Sequence, residues 1–203
     1  MPQAALHTLN LHQYLHYSDG TDTRYELVRG YLVPMTPAPW PHSKIAKFLE
    51  RTFDAEIARL GYPWEAVRGD IGQRTEVATA RLPDVMVVQQ ADLANLGHQP
   101  AVLEVPARLV VEIVSESSKT DDYLYKLAEY CGQAIPEYWV VDYLGRGASR
   151  YIGTAKLPTV SIYSLDGEEY QVERFRGSDP LMSPTFPELV LSADQVLGLQ
   201  GGV

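Results

Sequence analysis

The chain has one cysteine among 203 residues, which excludes an intramolecular disulfide and a cysteine zinc cluster. That residue, Cys131, falls in the apolar stripe of a candidate helix, where buried packing is a better reading than nucleophilic chemistry. Long apolar runs are also missing. The longest, Leu109 to Val114 and Tyr138 to Val141, fall far short of the roughly 20 residues a membrane span needs. No basic region precedes an apolar stretch near the N-terminus, so the expectation is a cytoplasmic protein without membrane contact. Basic charge is scarce: 17 Lys and Arg face 26 Asp and Glu, a formal net charge of −9. Nonspecific nucleic-acid binding rests mainly on Lys and Arg neutralising phosphates. The balance counts against a histone-like or coating protein, and any nucleic-acid contact must come from a local patch, a bridging metal or a partner. Gly145 and Gly147 do not follow a strand-to-helix phosphate-loop pattern, and no serine occupies a nucleophile elbow. Internal repeats and low-complexity segments are absent.

With 45% hydrophobic and 21% charged residues, the composition fits one globular domain over 1–203 with a sizeable core. Leu6 to Tyr17 reads as a short flanking helix closing at Ser18-Asp19-Gly20. Arg24 to Val33 reads as a β-hairpin turning at Arg29-Gly30, and Pro34, Pro37, Pro39 and Pro41 then forbid regular structure. Ile45, Phe48, Leu49, Phe53, Ile57 and Leu60 recur at helical spacing from His42 until Gly61-Tyr62-Pro63. Strands are expected at Trp64 to Val67, Ile71 to Val77 and Asp84 to Val88, and a polar loop at Ala91 to Gln99. Leu109 to Val114 is the central strand. Thr120 caps a helix from Asp121 to Cys131 that ends at Gly132, and Glu137 to Asp142 is the next buried strand. Strand, helix, strand in that order implies parallel pairing across a right-handed crossover. Thr159 to Leu165 and Glu169 to Phe175 form a late meander running on through the Pro-rich Ser183 to Pro187 to a short terminal turn or helix.

The chemistry concentrates where acids interrupt apolar strands. Asp84 opens Val85-Met86-Val87-Val88, and Glu112 sits inside Leu109-Val110-Val111-Glu112-Ile113-Val114. A carboxylate in such a run costs several kcal/mol unless it finds a cation or donors. A divalent ion satisfies both at once, because hard cations such as Mg²⁺ take oxygen ligands, commonly one or two carboxylates, and leave other positions for water and substrate phosphate.

An ordered series joins these acids: Tyr25-Glu26-Leu27-Val28-Arg29-Gly30, His42, Leu82-Pro83-Asp84-Val85, Val111-Glu112-Ile113-Val114-Ser115, Asp122 with Lys126 and Tyr130, and Pro136-Glu137-Tyr138-Trp139-Val140-Val141-Asp142. The series resembles the Uma-type restriction endonucleases of bacteria, in the PD-(D/E)xK nuclease superfamily, from about Tyr25 to the Pro184 region. The resemblance implies a restriction-endonuclease-like α/β fold, a mixed central sheet flanked by helices, with an N-terminal helix and hairpin and extra C-terminal strands. It implies Asp84 and Glu112 as ligands for Mg²⁺ or Mn²⁺. The superfamily motif expects lysine two residues after Glu112, where this chain has Val114; the matching lysine of similar proteins lies on the following helix, at Lys126. Lys126 then stabilises developing negative charge or positions water. On a helical wheel, however, Leu124, Leu127, Ala128 and Cys131 form the apolar stripe and Lys126 falls opposite, beside Asp122, Tyr123 and Tyr130: either the helix presents this Tyr-lined face to the site, or Lys126 simply pairs with Asp122 at i,i+4. Glu26 matches a recurring family acid, an extra ligand or base, or else is a solvent-facing strand residue.

Other candidates divide the same way. His42 can cap backbone N–H groups or sit at the surface, the plainer readings, or meet a substrate phosphate. Arg81 can contact phosphate or pair with a site carboxylate. Asp142 can support the site from behind or, the plainer reading, start a turn at Tyr143-Leu144-Gly145; Glu104 and Glu116 are loop acids, and at least one of Tyr138 and Trp139 belongs to the core rather than to base stacking. The expected activity is metal-dependent hydrolysis of DNA by a homodimer, the dimer by analogy alone. The alternatives are a noncatalytic binding or regulatory module of the same fold, and a self-associating structural protein.

Overall fold

A computed structural model describes residues 8–97, 101–116, 118 and 120–198. Leu6, expected in the first helix, and Gln99, at the end of the expected polar loop, lie outside them. In chain order the elements are α1 (Leu11–Leu15), β1 (Tyr25–Val28), β2 (Tyr31–Pro34), α2 (Trp40–Leu60), β3 (Trp64–Val67), β4 (Gly72–Glu76), β5 (Thr79–Arg81), β6 (Val85–Gln89), α3 (Gln90–Leu96), β7 (Val102–Leu103) and β8 (Leu109–Ile113). A π-helical turn (Asp121–Tyr125) then runs into α4 (Lys126–Gly132), followed by β9 (Glu137–Asp142), α5 (Ser149–Ile152), β10 (Thr159–Asp166), β11 (Glu169–Phe175) and α6 (Ala193–Leu197).

The strands are mixed, as expected, but divide between two sheets. The larger has the order β11-β10-β9-β8-β6-β3 and the smaller β2-β1-β5-β4-β7. In the larger, β8 and β9 pair in parallel with Val110 opposite Tyr138, while β6 pairs antiparallel with β8, Val85 opposite Val111. Alternation along these strands builds two cores. Val85, Val87, Leu109, Val111, Ile113, Trp139 and Val141 face one side, against Leu49 and Phe53 of α2; Met86, Val88, Val110, Val114, Tyr138 and Val140 face the other, with Tyr123 and Tyr130. Buried on both faces, the central strands read as nearly unbroken apolar runs.

The hairpin turns at Arg29 and Gly30, both at positive φ (51° and 86°), the backbone of a two-residue turn whose twist suits its strands. Gly30 is also obligatory sterically, because a Cβ there would stand 2.7 Å from Thr8 Cβ. Helix α2 begins at Trp40, two residues before His42, with Pro41 in its first turn where the missing N–H costs nothing, and Gly61 closes it in the left-handed conformation. The expected polar loop is helical: Leu93 and Leu96 of α3 pack against the second core. Short β5, β7 and α5 carry too few residues for a visible period. Thr120 makes no side-chain cap. No helix among the described residues is long and apolar enough to cross a membrane.

Phe53 holds α2 to the larger sheet, its ring 5.5 Å from both Trp139 and Phe186. Phe53→Ala is expected to cost about 3–5 kcal/mol through lost burial and a residual cavity, read as a lower urea midpoint at unchanged m-value.

Candidate active site

Extending the β6–β8 register by one residue sets Asp84 opposite Glu112. By alternation both side chains fall on the face that carries Met86, Val110 and Val114. The Asp84 Oδ2 atom accepts the N–H of Ile113 at 2.7 Å and lies 3.2 Å from His42 Nε2. Glu112 is buried, and its Oε1 accepts the Tyr130 hydroxyl at 2.6 Å.

The helix after β8 supplies the cation. Lys126 Nζ stands 2.9 Å from Glu112 Oε2, 3.3 Å from Asp122 Oδ1 and 4.0 Å from Glu26 Oε1. The wheel is inverted here: Asp122, Tyr123, Lys126, Glu129 and Tyr130 face inward, whereas Leu124 is exposed. Two causes combine. The Lys126 N–H donates to the Asp121 carbonyl five residues back, and this π turn rotates the start of α4 away from α-helical register. The inward residues also bring their own partners, Tyr138 donating to the Asp122 carbonyl at 2.8 Å. The i,i+4 pair with Asp122 therefore exists, but inside the protein. Cys131 is only half-buried, consistent with the same inversion.

Behind this group lies a second ionic layer. Arg81 donates to both oxygens of Glu129, at 2.8 and 2.6 Å, and to Glu26 Oε2 at 3.1 Å, while the Leu82 N–H donates to Glu26 Oε1 at 3.0 Å. Arg81, with its side chain 3% exposed, is not placed to touch a substrate phosphate; it pairs with carboxylates, because its strand points it into the interface between β1 and α4. Glu26 is buried rather than solvent-facing, since β1 is covered by that same interface. His42 makes no capping bond; its helix start leans on β6, so the ring meets Asp84. Both Tyr138 and Trp139 are core residues. Asp142 accepts the N–H groups of Arg146 and Gly147, as a turn residue does. Glu104 and Glu116 pair with Arg74 and Arg146. Sequence reasoning passes over Glu129 and leaves Asp122 outside the site, although Asp122, Lys126 and Tyr130 at spacings of four are a signal.

Charge in this cluster is unbalanced. Burial alone would lower the Lys126 ammonium, but Glu112, Glu26, Asp122 and Asp84 hold it well above its ordinary value. Burial raises Glu112 well above the carboxylate range; Lys126 opposes this, and the neighbouring acids reinforce it. Burial also pushes Asp122 up to about 6. Glu26 goes the other way, because Lys126 and Arg81 outweigh its burial. Burial lowers the His42 imidazolium, yet the hydrogen bond and charge of Asp84 leave it net raised.

Residues 11–194 match the Uma2 family, whose description reads "Putative restriction endonuclease". The chain belongs to the Uma2 family. A solved structure from Anabaena variabilis ATCC 29413, titled a putative nuclease belonging to DUF820, shares the fold at a TM-score of 0.72 and 15% identity, over 94% of this chain and 98% of that one. No curated protein matches.

For a Uma2 chain the donor set suits a hard cation. Asp84 and Glu112 share one face, and the buried Asp122 Oδ1, though near Lys126, has no hydrogen-bond partner among the described residues. No group of three or more His, Cys, Asp or Glu among the described residues has metal-holding geometry. Asp84 and Glu112 are the residues that would hold such an ion, with water completing its shell, an arrangement Mg²⁺ usually accepts.

Because Asp122 rises from 3.8 to about 6 on folding, its protonation stabilises the fold fully below about pH 4, and that contribution is lost as pH rises through about 6. Asp122→Asn should flatten the fall in stability between pH 4 and 7, measured by urea unfolding across pH; a slope equal to wild type would contradict this. Lys126→Met, which strands buried carboxylates, should cost about 3–5 kcal/mol at neutral pH, and the deficit should narrow near pH 5 as they take up protons.

Proposed function

We propose that the protein is a metal-dependent endonuclease that hydrolyses DNA phosphodiester bonds, with Asp84 and Glu112 as the ligands for Mg²⁺ or Mn²⁺. One observation carries the reading: two carboxylates at opposed register positions on one face, with the Lys126 ammonium 2.9 Å from one of them. The lysine missing at Val114 is met in space from α4. When bound, the ion supplies charge neutralisation at the scissile phosphate and acidifies water.

The chain's own residues do the remaining work. His42 holds Asp84 Oδ2 beside the Ile113 N–H, and the Tyr130 hydroxyl fixes Glu112 Oε1, so both carboxylates are oriented before a ligand arrives. Asp84, with its side chain 24% exposed, forms the open side of the site. Lys126 supplies positive charge for the phosphoryl oxygens or a donor that positions water. Glu26 and Arg81 hold Lys126 and the segment entering Asp84 in place. Among the described residues, the acids Glu26, Asp84, Glu112, Asp122 and Glu129 face Lys126 and Arg81 as permanent cations, a surplus of acidic groups that a divalent ion would offset.

A noncatalytic module of the same fold is the rival, favoured by both Glu112 oxygens being taken, by Lys126 and Tyr130. A homodimer reaching both strands belongs to the proposal and is read from the mass in solution.

Purified protein should cleave DNA with Mg²⁺ or Mn²⁺. Asp84→Ala and Glu112→Gln should each lower the rate by at least about 100-fold, consistent with loss of Lewis-acid and electrostatic stabilisation. Calorimetric titration should show one Mn²⁺ site lost in both variants. Absence of such a site together with absence of cleavage would decide for the noncatalytic module, and cleavage unchanged in Asp84→Ala would overturn the assignment of Asp84 as a metal ligand.

A further inference from the structure

A basic stripe runs along one side of α2. Along α2, Trp40, Lys44, Lys47 and Arg51 follow one another at spacings of four, three and four, which align on one side of a helix. All four are exposed, Trp40 at 73%, while His42, Ile45, Leu49 and Phe53 form the buried side. Among the described residues, Lys44, Lys47 and Arg51 make no ion pair. The acids on α2 are engaged elsewhere: Glu50 with Arg68, Asp54 with the Ala66 N–H, and Glu56 with Arg59. Most other basic groups are spent within the protein. Arg24, Arg59, Arg68, Arg74, Arg81 and Arg146 face carboxylates. Lys44, Lys47 and Arg51 thus stand as three neighbouring exposed cations without an acidic partner among the described residues, in a chain of net charge −9.

We infer that the Lys44, Lys47 and Arg51 face of α2 is a docking surface for the DNA phosphate backbone, with Trp40 at its end packing on the nucleic acid. The inference rests on the endonuclease reading for its partner and adds the surface that holds it. Its place in the fold suits the task. His42, in the first turn of the same helix, is the residue that touches Asp84, so a strand held along the stripe reaches the site at the N-terminal end of α2. A repeated charge pattern without base-reading side chains matches backbone binding rather than sequence readout.

The test is anisotropy of a short fluorescein-labelled duplex against salt concentration, in Mg²⁺, using the full chain with Asp84→Ala so that binding is read without cleavage. Neutralising all three positions (Lys44→Gln, Lys47→Gln, Arg51→Gln) should reduce the slope of log affinity against log salt by about 2–3, since each phosphate contact contributes about 0.9. Affinity near 0.1 M salt should fall at least about tenfold. Lys156→Gln, an exposed control in the turn after α5, should leave both unchanged. Duplex binding should quench the exposed Trp40, an effect lost in Trp40→Phe. An unaltered slope in the triple variant, an equal loss in the Lys156→Gln control, or no duplex binding at all would overturn the inference. The two readings fail separately: cleavage that ignores the stripe sinks this one alone, whereas stripe-dependent binding without cleavage in the wild-type chain sinks only the catalytic assignment.

Discussion

One buried ammonium among more carboxylates than it can neutralise governs the centre of this fold. Lys126 gathers Glu26 from β1, Glu112 from β8 and Asp122 from the preceding π turn, groups far apart in the chain. Removing charges from water is costly, and a buried ion pair compensates only when geometry and further hydrogen bonds are good. The hydroxyl of Tyr130, the Leu82 N–H and the fork of Arg81 are those further bonds.

The arrangement divides labour between a rigid layer and a charged one. The central strands, apolar on both faces, hold Asp84 and Glu112 in register, and α2 and α4 bring His42 and Lys126 to them from opposite sides of the sheet. The excess of carboxylates lowers stability at neutral pH, as functional sites commonly do. On the proposed reading, a divalent ion would offset that excess. The basic stripe on α2 lies outside this group, so the two proposals assign attraction for phosphate and chemistry at phosphate to different surfaces.

Much of this was legible residue by residue. Asp84 and Glu112 stood out because an acid inside a valine-rich strand needs a reason, and the hairpin at Arg29-Gly30 and the parallel pair β8–β9 came from turn chemistry and element order. Lys126 was legible only through the family pattern, since helical periodicity assigned it to solvent. The period assumed an α-helix, and a π turn together with buried ionic partners broke both assumptions. Arg81, Glu26 and Glu129 pair across separations of 48 and 55 residues, and no local signal encodes such partners. The α3 helix was lost for a simpler reason, its apolar side being only Leu93 and Leu96.

The longer strands and helices, the buried apolar runs and the identity of the acids in them are properties of the sequence by itself, because alternation, helical period and burial cost act over a few residues. Which charges meet is a tertiary decision. It depends on the register between β6 and β8 and on the rotation of α4, both set by packing between distant segments, and only that packing turns Lys126 inward and closes Arg81 away from solvent.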